Sequence, residues 1–439
     1  MRKSTERITP GSVLLSEKPF VYCLSSKLRS DYCDYCFKKG TLEEALRKCI
    51  ACKYVCYCGY GCQKKGWSFH KAECQNLKKI APRQVPDAAR MLARMVQKLN
   101  KDGKTIRSYY TDINFRMYKD LMSHYPDMRN DTKRLEHFEC LQVVLKEFMS
   151  EEVLPNPVDL MGIFGRMCIN SFNICNEEQQ VLGTGLYLGA SVLDHSCDPN
   201  AVAIFEGTTI HVRALKPMEY LNWSEVFISY IDTLSTTEER IEDLKRVYYF
   251  TCQCQRCLTP VLEESAAACP NINCDNPITS IEVQDCSKCG APVTKNFIDK
   301  YKEVTELTDL HLQKMKDMAF LDACRICLDQ QEGVLHKFNT KHLKTLDLTF
   351  ECCIDFNKFG EALIIGRRLQ EAFHKYYGKF HPSTGLLHLK LAKILVYLNR
   401  LDEGKDQLKK AYEILKVTHG VQSGVFREEL LPLLQQYSQ

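Results

Sequence analysis

Fourteen of the 24 cysteines in this 439-residue chain fall into three groups whose spacing suits metal ligation, and Cys197 is a candidate fifteenth. The first group reads C-x2-C, C-x2-C, C-x3-C, H-x3-C. Its members are Cys33, Cys36, Cys49, Cys52, Cys58, Cys62, His70 and Cys74. Seven thiolates and one imidazole are what two structural, tetrahedral zinc ions require, and a C-x2-C turn presents two sulfurs to one ion. The second group, Cys252, Cys254 and Cys257, lacks a fourth ligand. Cys197, in the stretch Leu193-Asp194-His195-Ser196-Cys197-Asp198-Pro199-Asn200, is the candidate. The third group is Cys269, Cys274, Cys286 and Cys289, with Pro, Asn and Gly between its members. Cys56 stands beside the first group as a spare thiol. Cys324 and Cys327 also read C-x2-C, but they lie in a helical pattern with no partner pair and are expected in a core.

Residues 166–258 carry the other candidate chemistry. They include RMCINSFNIC with Asn170 and Phe172, GTGLYLGASVLDHSCDPNA with Asp194 and His195, EVFISYIDTL with Tyr230, and YYFTCQCQRC with Tyr248 and Phe250. Phe172, Tyr230, Tyr248 and Phe250 are aromatic side chains that could wall a narrow, desolvated passage. A zinc site joining Cys197 to Cys252, Cys254 and Cys257 would bring the Asp194-His195 stretch to the Tyr248–Phe250 stretch.

Composition limits the alternatives. Hydrophobic residues make up 45% and charged residues 26%, which excludes wholesale disorder and fibrous repeats. The net charge is only +4, so reliance on nucleic-acid phosphates is not expected. The segment 33–74 holds eight Lys/Arg against four acids. That is a solvated face or a basic surface for acidic peptides or weak DNA contact. The charged opening MRKSTERITP has no signal-peptide core. No apolar run reaches the ~18–20 residues of a membrane span. The expected compartments are therefore nucleus and cytoplasm, where thiols stay reduced, and the expected state is a monomer without membrane contact.

The order of the first cysteine group resembles a MYND finger. In that family the pairs interleave, which implies one ion on Cys33, Cys36, Cys58 and Cys62 and another on Cys49, Cys52, His70 and Cys74. The third group resembles a small zinc ribbon. The 166–258 motifs resemble the SET domain of lysine methyltransferases, and the combination resembles the SMYD (SET and MYND domain) family over nearly the whole chain. The resemblance implies a protein-lysine N-methyltransferase that uses S-adenosylmethionine and carries three zinc sites and a fourth. Tyr230 matches the catalytic tyrosine, which also lies by the cofactor. Asn170, Asp194, His195 and Phe250 match cofactor contacts, and Phe172 matches a lysine-channel residue; Tyr248 joins that channel. Partners are a histone or non-histone protein substrate, with proline-rich peptides at the finger.

Three departures from the family pattern stand in the text. The opening Met1-Arg2-Lys3-Ser4 shows no Gly-x-Gly, so in residues 1–32, the first part of the SET domain, either the start is truncated or the cofactor loses backbone contacts there. Asp194 stands where the family has Asn, and an ionised Asp cannot donate a hydrogen bond. Met218–Ser224 replaces a Gly-Glu-Glu turn. These departures keep a rival open: a non-catalytic adaptor that binds peptides through its finger and helical repeats.

The expected architecture is α+β: a SET β-core split by a MYND finger, a post-SET zinc site and a C-terminal α-helical, tetratricopeptide (TPR)-like domain. Its expected segments are 1–32, the finger 33–74, helical insert and SET core 75–240, post-SET site and ribbon 241–292, and helical repeats 293–439. Apolar residues at three- and four-residue intervals (Met91, Leu92, Met95, Val96, Leu99) predict helix through 82–150. Alternation in AVAIFEGTTIHVRAL predicts a hairpin about Glu206-Gly207. Phe359, Glu361, Arg367, Arg368, Glu371, Phe373 and Gly378 recur 42 residues later as Leu401, Glu403, Lys409, Lys410, Glu413, Leu415 and Gly420. Such a period predicts stacked helix pairs, forming a lid, a peptide groove or both. His374 and His381, without cysteines or a third ligand nearby, read as loop or surface residues.

Overall fold

The computed structural model describes residues 7–149, 153–315 and 320–436. The segment Met1–Ser4 lies outside the described residues. The chain forms two compact units: residues 1–194, 200–228 and 247–249, and residues 195–199, 229–246 and 250–439.

Among its described residues, the first unit holds two three-stranded antiparallel sheets. One has the order Val13–Glu17, Thr209–Ala214, Ala201–Glu206. Ile210, Val212 and Ala214 alternate inward along its central strand, as the sequence pattern predicts. Glu206 pairs with Thr209, so Gly207 and Thr208 make a two-residue turn with Gly207 at φ +56°. A Cβ on Gly207 would stand 2.7 Å from the carbonyl oxygen of Cys36, so glycine answers both the dihedral and the close approach. The other sheet has the order Val21–Leu24, Val181–Leu186, Ser171–Cys175 and sets Phe172 opposite Gly185.

Helices complete this unit. Tyr60–Ile80 belongs to the cysteine-rich segment. Asp87–Lys101 buries the expected stripe of Met91, Leu92, Met95, Val96 and Leu99. Thr132–Phe148 is capped by the Asp131 carboxylate, and Pro157–Asn170 by the Asn156 side chain. Helix does not run through the whole of 82–150. Beyond Lys101 there are two short 3-10 turns, a small hairpin of Ser108–Tyr109 with Phe115–Arg116, and loop. The Thr111 hydroxyl accepts the Asn114 N–H at 2.7 Å, a local turn that competes with helix.

The second unit is mainly helical. Its helices from Lys295 include Lys295–Lys314, Leu321–Gln331, Thr340–Asp355, Phe359–Tyr377, Pro382–Tyr397 and Leu401–Thr418, and a π-helical turn Val425–Leu430 leads into Leu431–Gln436. The 42-residue period is structural. Phe359 and Leu401 open corresponding helices, and Gly378 and Gly420 follow them at φ +81° and +84°. Cys324 and Cys327 are buried core thiols. His374 is exposed, but it stands on a helix. His381 stands, as expected, in the loop ahead of Pro382–Tyr397, where its ring caps that helix by accepting the Ser383 N–H and stacks on Tyr377 at 4.1 Å.

Candidate active site and zinc centres

Among the described residues, four groups of metal-ligating side chains converge, each with its donor atoms within 4.8 Å of one another. They are Cys33, Cys36, Cys58 and Cys62; Cys49, Cys52, His70 and Cys74; Cys197, Cys252, Cys254 and Cys257; and Cys269, Cys274, Cys286 and Cys289. The finger pairs interleave as the resemblance implies, Cys56 is left out, and Cys197 closes the second group.

The donor sets fit zinc. Tetrahedral Zn–S bonds of ~2.3 Å place two sulfurs about 3.8 Å apart. Here Cys36 and Cys62 are 3.8 Å apart, Cys49 and Cys74 3.8 Å, and Cys197 and Cys252 4.0 Å. The Nε2 of His70 lies 3.3 Å from Cys49 and 3.4 Å from Cys52, so this nitrogen is the ligand atom. Backbone N–H groups of Cys289 and Lys288 bring the Cys286 thiol down to about 6, which readies it as a thiolate.

In the second unit, three residues distant in sequence meet. The Tyr230 N–H donates to His195 Nδ1 at 3.0 Å. The His195 ring lies 5.3 Å from that of Tyr230 and 6.0 Å from that of Phe250. His195 Nε2 lies 3.2 Å from the Cys197 sulfur. Burial, aided by the Arg240 charge, lowers the His195 pKa to about 4, so the ring is neutral at physiological pH. Arg256, between two zinc-ligand cysteines, donates to the carbonyls of Cys197 (3.2 Å), Thr233 (2.9 Å) and Tyr376 (2.9 Å).

Across most of their lengths, the chain aligns with curated proteins of one kind. It is 32% identical to human Histone-lysine N-methyltransferase SMYD3 over 98% of this chain and 93% of that one. The chain belongs to the SMYD family. Within it, the MYND finger family matches residues 33–74. Arabidopsis thaliana Histone-lysine N-methyltransferase ASHR1 is 29% identical over 95% of this chain and 89% of its own. Human N-lysine methyltransferase SMYD2 is 28% identical over 93% and 90%. No described helix of this SMYD-family chain is long and apolar enough to cross a membrane.

The remaining candidate residues lie in the first unit. Phe172 packs edge-on against Tyr187 at 5.7 Å, and Tyr187 lies 6.0 Å from Phe205. Asn170 ends its helix, and its amide nitrogen donates to the carbonyls of Met122 (2.8 Å) and Arg166 (2.9 Å). Asp194 is exposed. Tyr248 closes the helix Thr237–Tyr248, and burial raises its phenol pKa. In the departing stretch, Met218 bridges to Ile8, and the Asn222 side chain accepts the Ser224 N–H.

Three further residues brace these segments without a prior functional reading. Asn200 donates to the Glu225 carbonyl at 2.6 Å and accepts the Phe227 N–H at 2.8 Å, pinning the chain that leads to Tyr230. Its place in the HSCDPN stretch was the available signal. The Glu17 carboxylate accepts from Ser108 (2.6 Å), Gly189 (3.0 Å) and Ala190 (2.8 Å), holding the turn ahead of Asp194. Tyr187 fixes its ring by donating to the Thr208 carbonyl at 2.6 Å.

Proposed function

We propose that this SMYD-family chain is a protein-lysine N-methyltransferase that uses S-adenosylmethionine. The observation that carries the reading is the His195–Tyr230–Phe250 cluster beside the four cysteines Cys197, Cys252, Cys254 and Cys257. The curated relatives are named lysine methyltransferases, which supports the same chemistry here.

When bound, S-adenosylmethionine supplies an electrophilic methyl group to a lysine amine. The acceptor must be neutral and in line with the methyl group. The Tyr230 hydroxyl is assigned to orienting the amine rather than to acting as a strong base. Asn170, Asp194, His195 and Phe250 are assigned to the cofactor. Phe172 and Tyr248 are assigned to the lysine channel, where a desolvated ammonium loses its proton more readily.

The substrate is a lysine of a histone or other protein in nucleus or cytoplasm. The segments 1–32, 33–74, 75–240, 241–292 and 293–439 serve as SET start, finger, insert and SET core, post-SET site with ribbon, and helical repeats. The finger offers proline-rich peptides a docking face. Its eight Lys/Arg side chains are exposed and suit weak DNA contact. The chain acts as a monomer.

The adaptor reading is favoured by one observation, the exposed carboxylate of Asp194 where the family has Asn. The two readings separate in a transfer assay. Zinc-loaded protein is incubated with methyl-labelled S-adenosylmethionine and a mixture of histones and cell proteins. The enzyme reading expects label on lysine, reduced on the order of 100-fold by Tyr230→Phe through lost alignment. Label that is unchanged in Tyr230→Phe would refute Tyr230 as the orienting residue. Absence of label from every substrate pool would favour the adaptor.

A further inference from the structure

A cluster of buried charges lies against the finger, and neither zinc ligation nor methyl transfer accounts for it. Asp34, Glu73, Arg90 and Arg94 are each no more than 3% exposed. Asp34 follows the zinc ligand Cys33, and Glu73 precedes the zinc ligand Cys74. Arg90 and Arg94 stand four residues apart on the helix Asp87–Lys101, outside the finger.

The contacts are dense. Arg90 donates to both Glu73 oxygens, at 2.7 and 3.1 Å, and pairs with Asp34 at 3.0 Å. Arg94 also donates to both Glu73 oxygens, at 2.6 and 3.0 Å, and to Asp34 at 2.8 Å. Its remaining reach is to the carbonyl of Tyr22, in the strand Val21–Leu24, at 2.7 Å. Two positive and two negative charges cancel, and each guanidinium meets carboxylates from both zinc sites. A buried arrangement of this kind holds only while every partner is in place.

Glu73 has one more contact. Its Oε1 lies 3.3 Å from Nδ1 of His70, whose Nε2 faces the sulfurs of Cys49 and Cys52. A zinc-bound imidazole is a neutral ligand through one nitrogen and a donor through the other, and a carboxylate on that donor fixes the ring and raises its basicity.

We propose that Glu73 is the positioning residue of the second finger site. With Arg90 and Arg94, it makes the finger, the helix Asp87–Lys101 and the strand Val21–Leu24 one zinc-dependent folding unit. Zinc on His70 polarises the Nδ1–H toward Glu73. The same carboxylate anchors both arginines, so metal occupancy is felt in a helix that supplies no ligand. The finger is thereby a structural member of the SET part rather than a tethered module.

The test uses the full-length, zinc-loaded chain and needs no methyl-transfer activity. Zinc is withdrawn with graded chelator while metal release and amide hydrogen exchange are followed together. The proposal expects residues 87–101 and 21–24 to lose protection at the chelator concentration that frees residues 60–80, whether or not the ribbon at 269–289 has yielded. Retained protection of 87–101 after both finger ions have left would overturn it. Glu73→Gln keeps the volume and removes the charge. It is expected to weaken one of the four zinc equivalents ~10–100-fold, the effect of losing an outer-shell partner. Wild-type affinity at all four sites would refute the positioning role. Should Glu73→Gln fail to fold, the chelator titration of the unaltered chain still decides the coupling, and Arg94→Lys tests the anchor. Losing the planar fork, it is expected to raise exchange in 21–24 and 87–101 at full zinc occupancy, and unchanged exchange there would count against the proposal.

Discussion

The backbone N–H of Tyr230 donates to Nδ1 of His195 at 3.0 Å, and the opposite nitrogen of the same ring lies 3.2 Å from the Cys197 sulfur. Nδ1 must therefore be the acceptor, which leaves the proton on Nε2, facing a thiolate. One imidazole thus ties the proposed catalytic tyrosine to the post-SET cysteines. His195→Ala leaves a partly buried N–H without its acceptor, at a cost of about 1–3 kcal/mol. Methyl transfer should fall by roughly 5–150-fold at that cost. His195→Asn, whose side-chain oxygen can replace Nδ1, should recover part of the loss. The check is kcat on a peptide substrate for both variants; equal loss in Asn and Ala would contradict the role given to Nδ1.

Arg256 joins three backbone carbonyls in the second unit and pairs with Glu264 at 3.1 Å. Glu264 keeps Arg240 at 2.8 Å if Arg256 is lost. Arg256→Met should therefore destabilise the unit by about 1–3 kcal/mol rather than unfold it. Denaturant midpoints at fixed zinc measure this. The same variant should raise proteolytic sensitivity near Thr233.

Asp347 has its carboxyl pKa raised to about 7 by burial and by the charges of Glu351 and Asp232, partly offset by Lys390. The folded chain keeps this proton when the unfolded chain, near pH 4, has lost it. Stability from this group is thus lost as pH rises from about 4 to 7. Asp347→Asn should stabilise the chain above pH 7 and change little near pH 4. Melting temperatures of both proteins across that range test the sign.

His342 moves the other way. Its Nδ1 contacts Gln331 at 2.7 Å and its Nε2 contacts Arg368 at 3.0 Å. Burial, then Arg368 and His336, lower its pKa to about 3. The unfolded ring takes up a proton below about pH 6.5 and the folded ring does not, so stability falls as pH drops from there toward 3. His342→Gln should lessen that slope by up to about 1.4 kcal/mol per pH unit. An unchanged slope would mean that the ring is not held neutral.

The zinc ligands were legible because their chemistry is local, with tight turns presenting paired sulfurs, whereas their interleaved pairing came from the resemblance to the MYND finger. Cys197 was legible only because three thiolates need a fourth. The helical repeat was legible through Gly378 and Gly420, which mark helix ends by their left-handed backbone. The charge cluster was not legible. Arg90 and Arg94 flank the apolar stripe of Met91, Leu92 and Met95, and arginine there reads as a solvated edge. Only the tertiary approach of Asp34 and Glu73 makes burial tolerable. The non-helical run after Lys101 did carry a signal, the turn dipeptide Asp102-Gly103 at the helix end, while its later turns rest on side chains such as Thr111. The backbone contacts of Asn170 were not legible in its motif: its amide nitrogen donates to the carbonyls of Met122 and Arg166, two segments that the local sequence does not bring together.

Calorimetric titration of S-adenosylmethionine into the zinc-loaded chain tests the central claim most directly, with Asp194→Asn measured beside it. A methyltransferase should bind the cofactor at micromolar concentration, with Asp194→Asn binding at least as tightly. No heat from either protein, with all four zinc sites filled, would contradict the enzyme and leave a peptide-binding adaptor.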